Sequence, residues 1–354
     1  MVPDRPPKKL CYEIEKEVIN MKKNNTAVRF TLRRVLCFAL CAVLLCMGLA
    51  ACGSDKKELK IGIIQYMSHP SLDNCYNGVI EALKALDVPY TVDRQIGSST
   101  SAGSDCSTFA QNMVAGNCDM IIAIATPAAT AAYAAMAGTD IPLIFCAVSD
   151  PVLAELVSDM DAPGGNCTGT SDVLDLDAQV SLIRAMQPEA KKIGVLYTTS
   201  EQNSVSQLAR LKDICAPLGI TVEASGVQNA ADIPAAATAL AGKVDCLNNF
   251  TDNNVVENLT VELDAANAAK IPVYGSEIEQ VSDGCLAAMS IDYVALGKTT
   301  GNMAVRVLQG ASPATMPVET ISEATPVINT DVVAALGLTV PAEFANAETV
   351  TTTE

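Results

Sequence analysis

The chain has 354 residues, with 40 Asp and Glu against 23 Lys and Arg and a formal net charge of −17. Nine basic and four acidic residues precede Cys52, so from there onward 36 acidic side chains stand against 14 basic ones, a net of −22. A surface of that sign repels nucleic acid and anionic headgroups and argues against both as partners, while about 300 residues suffice for two domains with sizeable cores.

The first informative segment is a basic cluster (Lys22, Lys23, Arg29, Arg33, Arg34) followed by an apolar run from Val35 to Leu49 and by Leu49-Ala50-Ala51-Cys52. The run has signal-segment length and is short for a spanning helix. Small residues before a Cys are the pattern of a lipoprotein signal, with Cys52 as the lipidated N-terminus; the alternatives are an uncleaved anchor or an apolar helix of the fold. Residues 1–20 carry mixed charge out of place ahead of such a segment and are expected as a gene-model extension, with 21–51 as the signal and 52–58 as a tether. No further apolar run long enough to span a membrane follows.

From Leu59 the chain alternates apolar strands with Ala-rich helices. Strands are expected at Leu59–Gln65, Tyr90–Ile96, Met120–Ala125 and Pro142–Val148, with helices at Ser71–Leu86, Ser104–Ala115 and from Thr126-Pro127, where Pro suits the first helical turn. After a break at Ser149-Asp150-Pro151 and the turn Pro163-Gly164-Gly165-Asn166 the pattern restarts with a helix near Leu176–Gln187. Strands follow at Lys192–Tyr197, Ile220–Val227, Cys246–Thr251 and Pro272–Ser276, separated by helices at Val205–Leu218, Ile233–Ala241 and Val255–Ala269. The tail adds a helix at Tyr293–Leu308, a strand at Pro326–Asn329 and a short helix at Val332–Leu336. Continuous apolar strands between helices are the mark of parallel sheets covered on both faces. The fold class is therefore α/β, two doubly wound parallel-sheet lobes with a ligand cleft between them. One lobe is expected from 59–170 plus 285–310, the other from 171–284 plus 311–342, with 343–354 as a flexible tail.

In such folds ligands bind beyond the C-terminal ends of the strands, where helix N-termini also attract anions. The candidates are accordingly Tyr66 and Ser68 after the first strand, Thr126 after the third, and Asp150 after the fourth. On the second half they are Tyr197, Asn203 and Ser204, then Asp252 and Asn253, then Ser276 and Glu277. Thr126 reads either as a carboxylate contact or as an ordinary cap, and Asp150 either faces the cleft or organises its turn. His69, the one His of the chain, has no nucleophile or metal motif beside it and reads as a cleft wall or helix entry rather than a catalyst. Carboxylates opposed to helix N-termini suit a zwitterion, whereas as helix caps alone they need no ligand. Gly297-Lys298-Thr299 lacks the earlier Gly of a P-loop, and no GxGxxG follows a strand. No cofactor and no metal are expected, and the eight Cys beyond Cys52, several inside apolar runs, are expected mostly as free thiols.

Several stretches together carry a family likeness: Ile61-Gly62-Ile63 with His69-Pro70-Ser71-Leu72-Asp73, Ala125-Thr126-Pro127-Ala128, Val148-Ser149-Asp150-Pro151, and Pro163-Gly164-Gly165-Asn166-Cys167-Thr168-Gly169. They continue with Lys192-Ile193-Gly194-Val195-Leu196-Tyr197, Asn203-Ser204, Thr251-Asp252-Asn253, Ile271-Pro272-Val273-Tyr274, Ile291-Asp292-Tyr293, Leu296-Gly297 and Gly301. From about Leu59 to Pro341 the chain resembles the substrate-binding lipoproteins of ABC importers, in the subgroup linked to aromatic amino acids. The resemblance implies a type I periplasmic-binding-protein-like fold with three crossovers, capture by hinge closure, and no catalysis. It also implies a lipid-anchored monomer outside the cytoplasm, handing an aromatic amino acid or analogue to an ABC permease and its ATPase. On this reading Asp252 meets the ligand ammonium, and Thr126 with the Asn203-Ser204 turn meets its carboxylate. Tyr66, Tyr197 and Tyr274 are the candidate stacking partners. The alternative function is a sensor lipoprotein that presents its bound solute to a membrane receptor.

Overall fold

A computed structural model of the chain describes residues 57–321 and 324–353. The expected signal segment and the lipidated Cys52 lie outside them. No helix among the described residues is long and apolar enough to cross a membrane.

The first sheet grows from β1 (Leu59–Gln65), β2 (Tyr90–Ile96), β3 (Met120–Ile124), β4 (Leu143–Cys146) and β5 (Cys167–Ser171), joined by α1 (Pro70–Leu83), α2 (Ala102–Ala115) and α3 (Thr126–Ala135). Every pairing is parallel, and the order is β11-β5-β4-β3-β1-β2, with β11 (Glu319–Thr320) reaching the sheet from far along the chain. The strands explain this arrangement. Ile61, Ile63, Ile122, Ile124 and Ile144 pack on one face, whereas Ile64, Ile121, Ala123 and Phe145 pack on the other, the period-2 alternation of a strand buried on both sides.

The second sheet comprises β6 (Lys192–Thr198), β7 (Thr221–Val227), β8 (Cys246–Asn248), β9 (Val273–Tyr274), β10 (Ala287–Ser290), β12 (Thr325–Asn329) and β13 (Glu348–Val350). Its order is β13-β12-β10-β9-β8-β6-β7, parallel except where β12 runs against β10. Around it lie α4 (Leu176–Met186), α5 (Gln202–Cys215), α6 (Ile233–Ala241), α7 (Asn253–Glu257), α8 (Leu259–Ala269), α9 (Ile278–Ser282) and α11 (Thr330–Leu336). The helix expected over Val255–Ala269 is two, broken at Asn258, whose side chain turns back onto the Asn254 carbonyl oxygen at 2.8 Å.

The lobe boundaries differ from the sequence expectation in three places. Residues 287–290 pair in the second sheet, not the first, and α10 (Tyr293–Leu308) alone returns to pack on α1 of the first lobe. Residues 319–320 pair with β5 in the first sheet, not the second. Residues 348–350 are no tail, since β13 pairs in register with β12. The chain thus crosses between lobes after β5, after β10 and after β11. The α1–α10 contact needs glycine: a Cβ on Gly297 would meet the Cys75 carbonyl oxygen at 2.1 Å, and one on Gly78 would meet the Val294 carbonyl oxygen at 2.3 Å. All eight cysteines of residues 57–353 are free, and all but Cys118 are buried.

Candidate functional site

A narrow, closed cavity lies between the lobes. Every lining residue sits just past a strand: His69, Ser71 and Leu72 after β1, Ala125 and Thr126 after β3, Ala147 and Ser149 after β4, and Asp172 after β5. The other wall is Asn203 after β6, Thr251, Asn253 and Val256 after β8, Glu277 after β9, and Tyr293 after β10. This is the strand-end edge at which open α/β sheets bind ligands.

Two alanines shape the first wall. Ala125 has φ 80° and ψ 152°, and Ala147 has φ 56°, conformations costly to any residue with a Cβ. They end β3 and β4 with sharp turns toward the cavity, and the turn at Ala125 opens α3 directly. Thr126 Oγ1 is buried there with no hydrogen-bond partner. His69 holds the position before α1 but makes no cap hydrogen bond from its side chain. Its Nδ1 is also buried and unpartnered, while Nε2 lies 3.2 Å from Asn253 Oδ1 in the other lobe. Burial pushes the His69 ring down to about 4 against the opposing pull of Asn253 and Asp73, so the imidazole is neutral at pH 7.

The second wall is organised by a carboxylate that does not itself line the cavity. Glu201 accepts from the backbone N–H of Asn253 and Asn254 and from the side-chain amides of Asn253 (2.6 Å) and Asn203 (3.2 Å). Asn203 also donates to the Thr251 carbonyl oxygen at 2.8 Å, leaving its Oδ1 buried and unpartnered. Burial, then the charge of Asp252, raises the Glu201 carboxyl.

Two acidic groups do reach the cavity. Asp172 accepts from Ser149 Oγ at 2.9 Å and from the Tyr293 hydroxyl at 3.1 Å, and burial raises its carboxyl. Glu277 accepts from Gln280 Nε2 at 3.1 Å. Burial, reinforced by the charge of Glu279, lifts Glu277 to about 8. The Ser71 hydroxyl lies beside Glu277 and lowers it somewhat, although no hydrogen bond of regular geometry joins them.

Of the sequence candidates, Thr126, Asn203, Asn253 and Glu277 line one cavity, and His69 lies on its wall at the residue before α1. The others are elsewhere. Asp252 is fully buried off the wall, with its oxygens accepting from Thr198 N (2.6 Å), Thr198 Oγ1 (2.8 Å) and Val255 N (3.0 Å). It ties β6 to the start of α7 and does not line the cavity. Asp150 organises its turn, accepting from Leu153 N at 3.0 Å and from Ser206 Oγ at 3.3 Å. Ser204 is buried beside Asn203, Ser276 accepts from Gln280, and Ser68 is exposed and donates to Asp73. None of Tyr66, Tyr197 and Tyr274 lines the cavity, and the Tyr274 hydroxyl reaches Gln187 in the core. Ser71 and Tyr293 stand in stretches that carry the family likeness but are not among the sequence candidates for the site, and Asp172, at the crossover after β5, lies in none of those stretches.

Hydrogen bonds close the two lobes on each other. Besides His69 to Asn253, Asn74 donates to Glu279 at 2.6 Å, Gln207 to Ser149 at 3.2 Å, and Gln202 to the Leu153 carbonyl oxygen. Residues 60–350 match the model of the ABC transporter substrate binding protein family. The chain belongs to that family. It is 41% identical over 288 residues to a "Tyrosine-binding protein" of Clostridioides difficile (strain R20291), covering 80% of this chain and 82% of that one. Two solved structures are each 36% identical and are matched over their whole length by 83% of this chain. One, the ABC domain in complex with L-Trp from Streptococcus pneumonia, superposes with a TM-score of 0.79; the other, the ligand-free, open form of a Clostridium difficile substrate binding protein, reaches 0.63. At equal identity and coverage, the lobes of this substrate-binding protein match the Trp-bound structure better than the open one.

Proposed function

We propose that this chain captures an aromatic amino acid, tyrosine or tryptophan, by lobe closure outside the cytoplasm and passes it to an ABC permease and its ATPase. In this reading it acts as a monomer tethered through lipid on Cys52. The observation that carries the ligand class is the wall of the cavity, where buried polar atoms of Thr126, His69 and Asn203 lack partners beside two carboxyl groups raised by burial. Buried polar groups are ordinarily satisfied, and a zwitterion supplies what is missing. Its ammonium matches Asp172 and Glu277, and its carboxylate matches the Thr126 hydroxyl with the first N–H groups of α3. Leu72 and Val256 offer the aliphatic surface for a ring. The tyrosine- and tryptophan-binding relatives support the same class.

Binding to the folded state alone raises stability by RT ln(1 + [L]/Kd). Thermal unfolding of the purified chain with each L-amino acid at millimolar concentration should give a clear rise in Tm for tyrosine and tryptophan and none for aspartate or lysine. A rise for acidic or basic amino acids without one for aromatic ones rejects the reading.

A further inference from the structure

The polar atoms of the wall have a hydrogen-bonding sense that can be worked out. Asn253 Nδ2 donates to Glu201 at 2.6 Å, so the opposite edge of that amide, Oδ1, faces His69 and can only accept. His69 Nε2, 3.2 Å away, must then carry the ring hydrogen. A neutral imidazole with its hydrogen on Nε2 has a bare lone pair on Nδ1, and nothing donates to it. The same logic applies to Asn203. Its Nδ2 is spent on the Thr251 carbonyl oxygen and Glu201, and its Oδ1 is left as a second bare acceptor. Glu201 thus sets the sense of both.

The wall then presents four groups that can accept (Asp172, Glu277, Asn203 and His69) beside the Thr126 and Ser71 hydroxyls. An ammonium has three hydrogens, so it need not reach all four, and an amino acid's carboxylate brings no donor to one that it misses. Leu72, three residues on from His69, and Val256, three residues past its partner Asn253, line the same cavity, so His69 shares its wall with the aliphatic surface on which a ring would rest.

Building on the aromatic amino-acid reading, we infer that His69 Nδ1 accepts a hydrogen bond from the ligand's side-chain O–H or N–H, so that the closed site selects tyrosine and tryptophan over phenylalanine. The Glu201–Asn253 pair positions the ring across the lobe gap, and closure brings the acceptor into place. A buried acceptor left without its donor is penalised, which is why a site built to bond a hydroxyl rejects the analogue that lacks one.

Calorimetric titration of the full chain at neutral pH tests this with L-tyrosine, L-tryptophan, L-phenylalanine and 4-fluoro-L-phenylalanine, the last matching the size of tyrosine without its donor. Tyrosine and tryptophan should bind at least about tenfold tighter than phenylalanine, and the fluoro analogue should follow phenylalanine. In His69→Leu the tyrosine-to-phenylalanine ratio should fall to near one, and His69→Gln, which keeps an acceptor, should restore part of it. Equal binding of all four ligands by the native chain overturns the inference while leaving the aromatic reading intact, and so does a His69→Leu ratio that stays at tenfold. Failure of every aromatic ligand to bind removes both. If His69→Leu does not fold, the fluoro analogue decides without any substitution.

Discussion

The two walls of the cavity are built on opposite principles. On the first lobe, Thr126 and His69 point buried polar atoms at the cavity without partners, and the backbone beneath them is strained at Ala125 and Ala147. On the second lobe, Glu201 and Asp252 gather seven hydrogen bonds from Thr198, Asn203, Asn253, Asn254 and Val255, and Asn203 Oδ1 is the wall atom left free. The second wall is a framework held largely by its own hydrogen bonds; on the proposed reading, the ligand completes the first. Preorganised groups lose less freedom on binding, and strained, unpartnered ones gain most from it. The proposed capture divides these roles between the lobes.

The largest effect expected from this contrast is on stability, at Asp252. Asp252→Ala removes the cap of α7 and strands the buried Thr198 N–H, so unfolding free energy should fall by about 2–4 kcal/mol, the sum of a lost cap and an unsatisfied buried donor. Denaturant titration of the ligand-free chain measures it. An Asp252→Ala protein as stable as the native one, but unable to bind, would return Asp252 to the ligand and break the contrast.

That residue also shows where sequence reading stops. An Asp after a buried strand has the same local signature whether it caps the next helix or meets a ligand, and only the Thr198 contacts from a neighbouring strand tell the two apart. The β/α alternation was legible because apolar runs such as Met120–Ile124 carry it in their own composition. Strand β5, Cys167-Thr168-Gly169-Thr170-Ser171, was not. It is polar by composition yet buried, with Thr168 donating to the Met316 carbonyl oxygen and Thr170 bonded to Thr300, partners more than a hundred residues away. Among the cavity-lining residues, those near the start of a helix that follows a strand (Thr126, Asn203, Asn253, Glu277) were legible from sequence as strand-end candidates. Asp172 was not, since its position depends on where the chain crosses between lobes.

A smaller effect separates binding from stability on the first wall. Thr126→Val keeps the shape and removes an unpartnered hydroxyl, so the ligand-free chain should unfold at the native denaturant concentration or slightly above it. Affinity for the amino acid should fall about tenfold, the worth of one charge-assisted hydrogen bond. Titration calorimetry and denaturant unfolding on the same preparation check both halves. Equal losses of affinity and stability would make Thr126 part of the framework instead.

The carboxyl groups give the contrast a pH dependence. Glu277 sits at about 8 in the ligand-free chain, so at pH 6 it is mostly protonated, and an arriving ammonium must displace that proton. Affinity should therefore rise between pH 6 and 8, by up to about tenfold per unit. Stability of the ligand-free chain runs the other way. A carboxyl raised above its unfolded value contributes stability that is present at or below about pH 4.5 and lost as pH climbs through 8. Calorimetry in buffers of different ionisation enthalpy should show proton release on binding near pH 7, and Glu277→Gln should diminish it. A native chain whose affinity is flat from pH 6 to 8 removes Glu277 from the ammonium site.

The smallest expected effect is the most direct reading of strain. A buried Ala replaced by Gly ordinarily loses stability, through the freer unfolded chain and the missing methyl, by about 1 kcal/mol. At Ala125 the backbone already occupies a region in which a Cβ costs roughly 1–3 kcal/mol. Ala125→Gly should therefore be neutral or stabilising by up to about 1 kcal/mol, whereas the same change at Ala128 one turn along α3, a buried residue of ordinary helix, should destabilise by the usual amount. Denaturant unfolding of the pair gives the difference directly. The same two proteins then report what the strain does for capture. If the turn at Ala125 serves to hold Thr126 and the first N–H groups of α3 toward the ligand, Ala125→Gly should weaken binding severalfold while leaving stability intact. Loss of stability with unchanged affinity would instead make the turn a packing feature of the first lobe.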